Sequence, residues 1–482
     1  MMINVPLICG LAGWIIAVFS GAFALPLTVS LFFGDGCARP FVLSIIISLS
    51  IGSLFIFLGG QEAKMEPRYR DGLAVVGLSW FAINVLGAMP YWFTGKLGFW
   101  DGIFESFSGL SSTGSSVIPD LRVIPEGLLF WRAQTQWIGG MGIIVLMVAI
   151  LPFLGVGGQI MLKSESSGPT SEKLRPRVAQ TAKSLWMLYL ALSLLLCFLL
   201  MVGGLPPFEA ICQTMTVIST GGFANYNESA GFHQSYFVKW VLIVFMFIGS
   251  LSFAMVYQVL SGQLKSLLNP EAIFFLLIIT AASILVATPL VVNGYFKPGE
   301  ALFHSIFQVV SVISTTGLST TDWGAWPELS QAVLLALFFI GGCSGSTSGG
   351  LKCVRWLILF KSLYRSMRQA IHPRGVFPVR LGGKPISDQV LEKVWLYILL
   401  YIVSLVIGTL LLLIMGIELN TSFTAVASSM GNVGPVLGQI GPTSDLSSLP
   451  GAAKGVLSVC MLLGRLEFYS LLLLLFPEFW SR

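Results

Sequence analysis

Charged residues are scarce in this chain: Asp, Glu, Lys and Arg make up only 10% of its 482 residues. Soluble globular proteins carry about a quarter charged residues, so the composition excludes an ordinary soluble domain. The three histidines, His233, His304 and His372, are isolated, and the seven cysteines form neither a C-x-x-C pair nor a His/Cys cluster. The sequence therefore predicts neither a metal-binding cluster nor a disulfide framework.

Two further classes of function lack the residues that they need. An intramembrane enzyme requires paired aspartates or a Ser–His arrangement at membrane depth, and the long apolar runs contain neither. The formal net charge is only +5, and the basic residues are confined to particular loops rather than spread over a binding face. We therefore expect no enzyme activity, no cofactor and no nucleic-acid partner.

Apolar residues, in contrast, make up 55% of the chain. Uncharged stretches cover Phe41 to Gly60, Leu185 to Pro206, Ile273 to Pro289 and Val394 to Gly416. A helix needs about 20 apolar residues to cross a hydrocarbon core of about 30 Å, so these runs predict an all-α polytopic membrane protein. The first apolar run, Val5 to Phe33, is too long for a signal peptide and has no basic start, so we expect it to be retained as a helix.

The loops between the apolar runs differ in charge. If the N-terminus is cytoplasmic, most of the 27 Lys and Arg residues fall in cytoplasmic connections, which is the arrangement that the positive-inside rule favours. We therefore expect both termini in the cytoplasm. Acidic residues on the opposite side include Asp101, Glu105, Glu209 and Glu300, and they predict an outer mouth that attracts cations.

After two leading helices, at about residues 5–31 and 40–60, one unit recurs four times. Each unit has a full-length apolar helix, a half-length apolar segment, a turn and a second full-length helix. The half-length segments are Asp101–Ser112, Pro207–Ile218, Gly299–Ile313 and Asn420–Ser429. As helices they reach only about 15–22 Å, which fits a re-entrant helix that stops midway through the membrane.

Two spans per unit give all four units the same orientation, unlike the inverted repeats of many secondary transporters. We divide the chain into the leading helices (1–70) and four pore units (71–180, 181–268, 269–388 and 389–482). The predicted full-length helices are Leu73–Phe93, Phe130–Leu154, Leu185–Gly203, Phe237–Leu260, Ala272–Val292, Gln331–Tyr364, Val394–Met415 and Ala453–Phe476.

The turns that follow the half-length segments read SSTGS, STGGF, STTGL and GNVGP. Irregular backbone is tolerated at membrane depth only where it lines a water-filled path or is buried in protein. One such turn alone is typical of an extramembrane loop, but four copies indicate a shared pore constriction. Glycine lets successive carbonyls point the same way, and such carbonyls can replace the hydration shell of a cation. Because no turn carries a carboxylate, we expect a monovalent cation.

One glycine per turn aligns across the four units, and its neighbours complete a predicted ion filter. The candidate ion-binding residues are Ser112, Thr113, Gly114, Thr220, Gly221, Gly222, Thr315, Thr316, Gly317, Asn432, Val433 and Gly434. The fourth turn, GNVGP, has no Ser or Thr, so its register is open by one or two residues.

The order of these units and four long motifs resemble the Trk/Ktr/HKT superfamily of potassium transporters, and its TrkH branch most closely. The motifs are WIGGMGIIVLMVAILPFLGVGG (Trp137–Gly158), GGCSGSTSGGLK (Gly341–Lys352), NVGPVLG (Asn432–Gly438) and LLGRLEFYSLLLL (Leu462–Leu474). The resemblance implies a pseudo-fourfold pore of four helix–pore-loop–helix repeats, preceded by two extra transmembrane helices. It further implies potassium uptake across the bacterial inner membrane, K⁺ at the filter positions, a homodimer, and a cytosolic nucleotide-binding regulatory subunit of the TrkA type.

The first candidate gate is the segment 341–350, GGCSGSTSGG. The apolar piece before it, Gln331–Ile340, reaches only about 15 Å as a helix. We therefore expect a non-helical loop across the pore below the third turn; the alternative is a flexible cytoplasmic linker. The candidate gating residues of this loop are Gly341, Gly342, Gly345, Ser346, Thr347, Gly349 and Gly350. The resemblance implies the same gating role.

The second candidate gate is Arg465, which stands inside an apolar run. A charge at the bilayer centre costs roughly 2.5–3.5 kcal/mol on insertion scales, so such residues face water or a partner. We expect Arg465 in the pore below the filter, where it opposes cation passage, and the resemblance implies this role too. The alternative is a structural ion pair with Glu467.

Two questions stay open in the sequence. The basic stretch Tyr364–Ser387 fits either contact with anionic membrane lipid or docking of the regulatory subunit. A cotransporter that couples K⁺ to H⁺ or Na⁺ is the alternative function, and it predicts intramembrane carboxylates. The apolar runs contain almost none besides Glu467, which favours a channel-like mechanism.

Overall fold

The computed structural model describes residues 4–60, 68–154 and 174–480. The end of the first long motif (155–158) and several loop lysines and arginines, such as Lys64 and Lys163, lie outside these ranges. The described chain is mostly α-helical, with one short hairpin that pairs β1 (Arg380–Leu381) with β2 (Lys384–Pro385). Six described helices are long and apolar enough to cross a membrane, or up to seven if a bent pair counts as one span.

The helices are, in chain order, α1 Val5–Ser20, α2 Ala24–Phe33, α3 Ala38–Gly59, α4 Tyr69–Gly87, α5 Met89–Phe93, α6 Phe99–Leu110, α7 Glu126–Leu154, α8 Leu174–Val202, α9 Pro207–Ile218, α10 Tyr236–Ser250, α11 Phe253–Leu260, α12 Pro270–Val292, α13 Pro298–Ile313, α14 Glu328–Leu337, α15 Cys353–Ile371, α16 Asp388–Ile414, α17 Leu419–Gly431, α18 Gly451–Arg465, α19 Tyr469–Leu472 and α20 Pro477–Trp480.

The two leading spans pack tightly against each other. A 3₁₀ turn joins α1 to α2, and the two form one apolar segment beside α3. Glycines set the distance between α1 and α3, since a Cβ atom added to Gly13 would lie 2.6 Å from the Ile56 nitrogen. Small residues allow such close approach of helices in a membrane. The prediction of two leading transmembrane helices is confirmed.

Four half-length helices, α6, α9, α13 and α17, match the four predicted segments to within two residues at each end. α9 and α13 begin with proline in the first turn, where the missing N–H of proline costs no hydrogen bond within the helix. Asp101, Glu209 and Glu300 lie in the first turns of α6, α9 and α13, where a negative charge interacts favourably with the helix dipole.

Three of the four half-length helices pack against a helix of a neighbouring unit. α9 packs against α7 of the unit before it, α13 packs against α10, and α6 of the first unit packs against α18 of the last. The described chain therefore folds as four helix–pore-loop–helix repeats around a pseudo-fourfold axis.

Two predicted long helices are wrong because the structure interrupts them. Phe237–Leu260 consists of α10 and α11, which meet at 108°. The Phe253 N–H at this bend donates to the Gly345 carbonyl, 3.0 Å away, so the chain turns to meet the 341–350 loop. Ala453–Phe476 likewise ends early at Arg465, since Glu467 and Phe468 take positive φ angles of 56° and 62°. The expected break of Gln331–Tyr364 is present, between α14 and α15.

Candidate functional site

The four turns have the same backbone conformation. The residue two positions before each aligned glycine is left-handed, and so is the glycine itself. The φ angles are 55° and 85° for Ser112 and Gly114, 52° and 78° for Thr220 and Gly222, 58° and 81° for Thr315 and Gly317, and 51° and 105° for Asn432 and Gly434. Left-handed dihedral angles are strained for residues with a Cβ atom. The same strained conformation occurs at one position in all four turns, which indicates that the four turns have the same structural role.

Hydrogen bonds fix the register of the turns. In each turn the residue before the aligned glycine donates its N–H to the half-length helix, at the carbonyl five residues earlier. The bonds are Thr113 to Ser108 (2.8 Å), Gly221 to Thr216 (2.8 Å), Thr316 to Ser311 (2.9 Å) and Val433 to Ser428 (2.9 Å). The fourth turn therefore has the same register as the other three, although its sequence differs.

The four aligned glycines form one closed ring. A Cβ atom added to any of them would meet the carbonyl oxygen of the residue before the aligned glycine in the next unit. The contacts run from Gly114 to the Gly221 oxygen, from Gly222 to the Thr316 oxygen, from Gly317 to the Val433 oxygen, and from Gly434 to the Thr113 oxygen at 2.8 Å. The last contact returns to the first unit, so the turns surround a single axis, and only glycine fits at these positions.

Side chains of the turns and of α7 tie neighbouring turns together, and two of them, Gln136 and Ser115, were not among the predicted filter residues. The fully buried Gln136 donates to the Gly221 carbonyl (2.8 Å) and accepts from the Phe223 N–H (3.0 Å). Asn432 donates to the Thr113 hydroxyl (2.9 Å), and Ser115 donates to the Gly434 carbonyl (2.7 Å). The sequence signal for Gln136 is a polar side chain within an apolar helix.

A cavity of about 100 Å³ opens from the ring on the side of the residues that follow the turns. All four aligned glycines line it, together with Arg132 and Asp445. The hydroxyl of Tyr226 at its edge donates to Glu209 (2.6 Å), and this bond raises the pKa of the tyrosine to about 12. Asp445 is the one acidic residue among the residues that line the cavity.

The prediction that Glu105 lies at the outer mouth is wrong. Its side chain is fully buried and accepts from the Arg132 Nε (2.6 Å) and from the Val117 N–H (3.1 Å). Asp101 is likewise engaged, with the ammonium of Lys454 at 2.6 Å. These carboxylates join structural elements and do not project into the cavity.

The 341–350 loop is buried beneath the turns, and the alternative of a flexible cytoplasmic linker is wrong. Eight of its ten residues are buried, and Ser344 and Gly345 are partly buried. Thr347 contacts the second unit through the Ile218 carbonyl (3.2 Å) and the Thr220 hydroxyl (3.3 Å). The Gly349 N–H donates to the Thr315 hydroxyl of the third turn (2.7 Å). A Cβ atom on Gly349 would lie 2.6 Å from that of Asn432 in the fourth turn.

Arg465 lies beside the 341–350 loop, beneath the turn of the first unit. Its guanidinium is buried and donates to the Thr347 carbonyl of the loop (2.7 Å), to the Gly139 carbonyl (3.1 Å) and to the Ser112 hydroxyl (3.4 Å). Glu467, the alternative partner, pairs instead with Arg355 at 2.7 Å. The loop and Arg465 together contact all four turns.

The basic stretch Tyr364–Ser387 begins within the last turns of α15, and its remainder folds back on that helix. Lys361 donates to the Arg380 carbonyl (2.8 Å), Arg365 pairs with Asp388 (2.6 Å), and the Arg368 guanidinium lies 4.3 Å from the centre of the Phe377 ring. The stretch is therefore an ordered connector between α15 and α16.

Within the described ranges, no group of three or more His, Cys, Asp or Glu side chains is placed to hold a metal ion. The described oxygen atoms around the ring belong to backbone carbonyls and to hydroxyl groups such as those of Thr113 and Thr316. Such neutral oxygens suit a weakly bound monovalent cation better than a divalent metal.

Comparison with known proteins gives a consistent result. The family model for TrkH, described as "Cation transport protein", matches residues 38–481. The chain is 36% identical over 476 residues to the "Trk system potassium uptake protein TrkH" of Salmonella typhimurium, with 98% of each chain covered. It is 35% identical over 484 residues to the "Trk system potassium uptake protein TrkG" of Escherichia coli K12, with 99% of each covered.

Among solved structures, the crystal structure of the potassium transporter TrkH from Vibrio parahaemolyticus superposes with a TM-score of 0.91. The two chains are 34% identical, and the match covers 99% of each. Sequence and fold thus agree over nearly the full length, and the chain belongs to the TrkH family of cation transport proteins.

Proposed function

We propose that the protein takes up potassium across the bacterial inner membrane through a channel-like pore. The closed ring of Gly114, Gly222, Gly317 and Gly434 carries this proposal. A ring of turns at the ends of half-length helices can offer carbonyl oxygens in place of a cation's water. The names of the full-length relatives, potassium uptake proteins, support K⁺ as the ion.

The twelve filter positions would bind K⁺ as it passes. The carbonyls of Thr113, Gly221, Thr316 and Val433 come from equivalent places in the four turns, and each abuts the next aligned glycine. The residues two positions before the glycines hold the left-handed conformation that starts each turn. Because these ligands are neutral, they would let a dehydrated monovalent ion leave as readily as it enters.

The 341–350 loop and Arg465 would form the gate. They contact all four turns on the side away from the cavity. Arg465 brings a buried positive charge next to the Ser112 hydroxyl, and a like charge there repels an incoming cation. Conduction would require the loop, Arg465 or both to move.

Regulation would come from a cytosolic nucleotide-binding subunit of the TrkA type, acting on a homodimer with one pore per protomer. The ordered basic connector between α15 and α16 is a surface for that subunit or for anionic membrane lipid. Since α15 follows the loop directly, a force on this connector would reach the gate.

The alternative mechanism couples K⁺ to H⁺ or Na⁺. It needs a carboxylate that binds and releases the second ion. The buried carboxylates of the described chain have other partners: Asp71 and Glu271 accept from backbone N–H groups, and Glu105 pairs with Arg132. The partly buried Glu467 pairs with Arg355. These contacts favour an uncoupled pore.

Ion flux from purified protein in liposomes tests the proposal. K⁺, Na⁺ and Rb⁺ are supplied singly at a set voltage without a proton gradient, and empty liposomes serve as the control. We expect K⁺ flux down its own gradient. Flux that appears only when a proton or sodium gradient is imposed would establish the coupled mechanism instead.

A further inference from the structure

A single buried carboxylate contacts both ends of the 341–350 loop. Glu271 lies in the first turn of α12 and is only 7% exposed. Its Oε1 accepts from the Ser344 N–H near the start of the loop (2.7 Å) and from the Val354 N–H just after its end (3.1 Å). Glu271 is itself positioned by Asn269, whose side chain accepts from the Glu271 N–H (3.0 Å).

The second contact also caps a helix. Val354 is the second residue of α15, whose first N–H groups have no partner within the helix. A carboxylate at a helix N-terminus interacts favourably with the helix dipole. Glu271 supplies this charge from a different transmembrane helix, so α12, the loop and the start of α15 are joined at one oxygen atom.

A buried cation of opposite sign holds the middle of the loop. Lys352, which precedes α15, is 4% exposed. Its ammonium donates to the Ser348 carbonyl and to the Ser346 hydroxyl, the latter at 3.3 Å. Ser346 and Ser348 flank Thr347, so both acceptors lie in the part of the loop that contacts the turns.

We infer that Glu271 and Lys352 form a two-point clamp that holds the loop in its closed position. Glu271 fixes the two ends and Lys352 fixes the centre, whereas Arg465 acts from outside the loop. Both are positioning residues: neither contacts a filter residue in the described bonds. The inference depends on the proposed gating role of the loop, because the clamp has a functional consequence only if loop movement controls flux.

The clamp also defines a route from the cytoplasmic side to the gate. Asn269, which caps α12 and positions Glu271, follows the 3₁₀ segment Leu264–Leu268 between α11 and α12. A displacement of this segment would move the carboxylate and weaken its bonds to both loop ends. Hydrogen bonds to charged groups are stronger than neutral ones, so small displacements would shift the loop equilibrium strongly.

The experiment compares Glu271→Ala, Glu271→Gln and Lys352→Met with the wild type in the full-length protein. Glu228→Gln is the matched control: Glu228 pairs with an arginine, Arg122 at 2.7 Å, but its side chain is 50% exposed and it follows the second turn, without a described bond to the 341–350 loop. A fifth variant, in which a shorter linker replaces Gly345–Gly349, tests the gate itself.

Two readouts separate loop release from general damage. The first is K⁺ flux in liposomes, with the K⁺/Na⁺ flux ratio measured in parallel. The second is alkylation of Cys343, a loop residue only 2% exposed, by N-ethylmaleimide. Peptide mass spectrometry measures the extent of Cys343 alkylation and, as a control, the extent of alkylation of Cys460, a buried cysteine of α18. Alkylation reports loop exposure independently of ion flux.

We expect Glu271→Ala and Lys352→Met to increase both K⁺ flux and Cys343 alkylation about tenfold, since each removes a charge-assisted bond. The K⁺/Na⁺ ratio and Cys460 alkylation should stay unchanged. Glu271→Gln keeps an acceptor oxygen without the charge and should give a smaller increase. Glu228→Gln should match the wild type.

Wild-type flux and alkylation in the clamp variants, together with increased flux in the shortened-loop variant, would overturn the clamp and leave the gate intact. Unchanged flux in the shortened-loop variant would overturn the proposed gate. If Glu271→Ala fails to fold, Glu271→Gln decides: raised Cys343 alkylation supports the clamp, and wild-type alkylation overturns it.

Discussion

Glycine at the four aligned ring positions is required by geometry rather than by flexibility. Each of these residues combines a positive φ angle with a carbonyl oxygen of the next unit at the place where a Cβ atom would stand. Other glycines of the chain have positive φ angles but open space around them, such as Gly294 with a φ of 71°. The effect of the positive φ angle and the effect of the Cβ clash can therefore be separated by mutation.

Gly222→Ala should reduce K⁺ flux to less than about a tenth of the wild type, because the new methyl group would displace the Thr316 carbonyl from the ring. Liposome flux measures the effect. Gly294→Ala is the control, since it adds comparable backbone strain without a clash. Equal flux in Gly222→Ala and wild type would contradict the role of the ring.

Arg132 and Glu105 form a buried ion pair behind the first turn. Arg132 also donates to the Ala224 carbonyl (3.0 Å) and lies over the Phe223 ring at 4.2 Å, so it connects the segments after the first two turns. Removing one partner of such a pair leaves an uncompensated buried charge.

Arg132→Met should therefore lower the free energy of unfolding by roughly 3–5 kcal/mol, measured as a drop in the thermal unfolding midpoint in detergent. Arg122→Met is the matched control, because Arg122 and its partner Glu228 are both largely exposed. An exposed pair contributes about 0–1 kcal/mol. Similar midpoints for the two variants would show that the buried pair is not structural.

At the scale of elements, the local features of the chain were predictable and the long-range ones were not. The half-length helices are set by nearby residues: all four have a short apolar length and a glycine turn after the last residue, and α6, α9 and α13 have proline or an acid in the first turn. Phe237–Leu260 is apolar throughout, and its bend depends on a bond between Phe253 and Gly345, which are far apart in sequence. The burial of Glu105 depends on Arg132 in the same way.

The final helix illustrates the same limit. Its apolar composition predicts continuation to Phe476, yet α18 ends at Arg465, and Glu467 turns towards Arg355 of α15. The sequence predicted Arg465 in the pore rather than in a pair with Glu467, because residues two apart face different sides of a helix, and the structure pairs Glu467 with Arg355 instead. The sequence could not predict the hydrogen-bond partners of the Arg465 guanidinium, because they come from the 341–350 loop and from the first unit.

Arg465→Ala should increase the basal K⁺ leak several-fold, since it removes a buried positive charge and the bond to the Thr347 carbonyl that joins α18 to the loop. Patch-clamp recording or liposome flux without any regulatory subunit measures the leak. Arg465→Lys keeps the charge and should leak less than the alanine variant. A leak equal to that of the wild type would assign Arg465 a purely structural role.

At the scale of the whole molecule, a bound ion should stabilise the assembly of four repeats. The turns come from segments spread between Ser112 and Gly434, and they meet at the ring. A ligand that binds the folded state alone adds about 2.7 kcal/mol of stability at a concentration of 100 times its Kd.

The thermal unfolding midpoint should accordingly rise with K⁺ concentration at constant ionic strength, balanced with N-methylglucamine. Gly222→Ala should lose this dependence, whereas Gly294→Ala should retain it. The midpoint is measured by a thermal scan in detergent. A wild-type midpoint that does not change with K⁺ concentration would argue against ion binding at the ring.

The ring closes within one polypeptide, so each of its four turns is encoded by a different part of the gene. A mutation in a tetrameric potassium channel is copied into every quarter at once, whereas here Val433 can stand where the other turns carry Thr or Gly. Evolution, or an engineer, can therefore adjust the passage one side at a time and obtain graded intermediates that a symmetric assembly never samples.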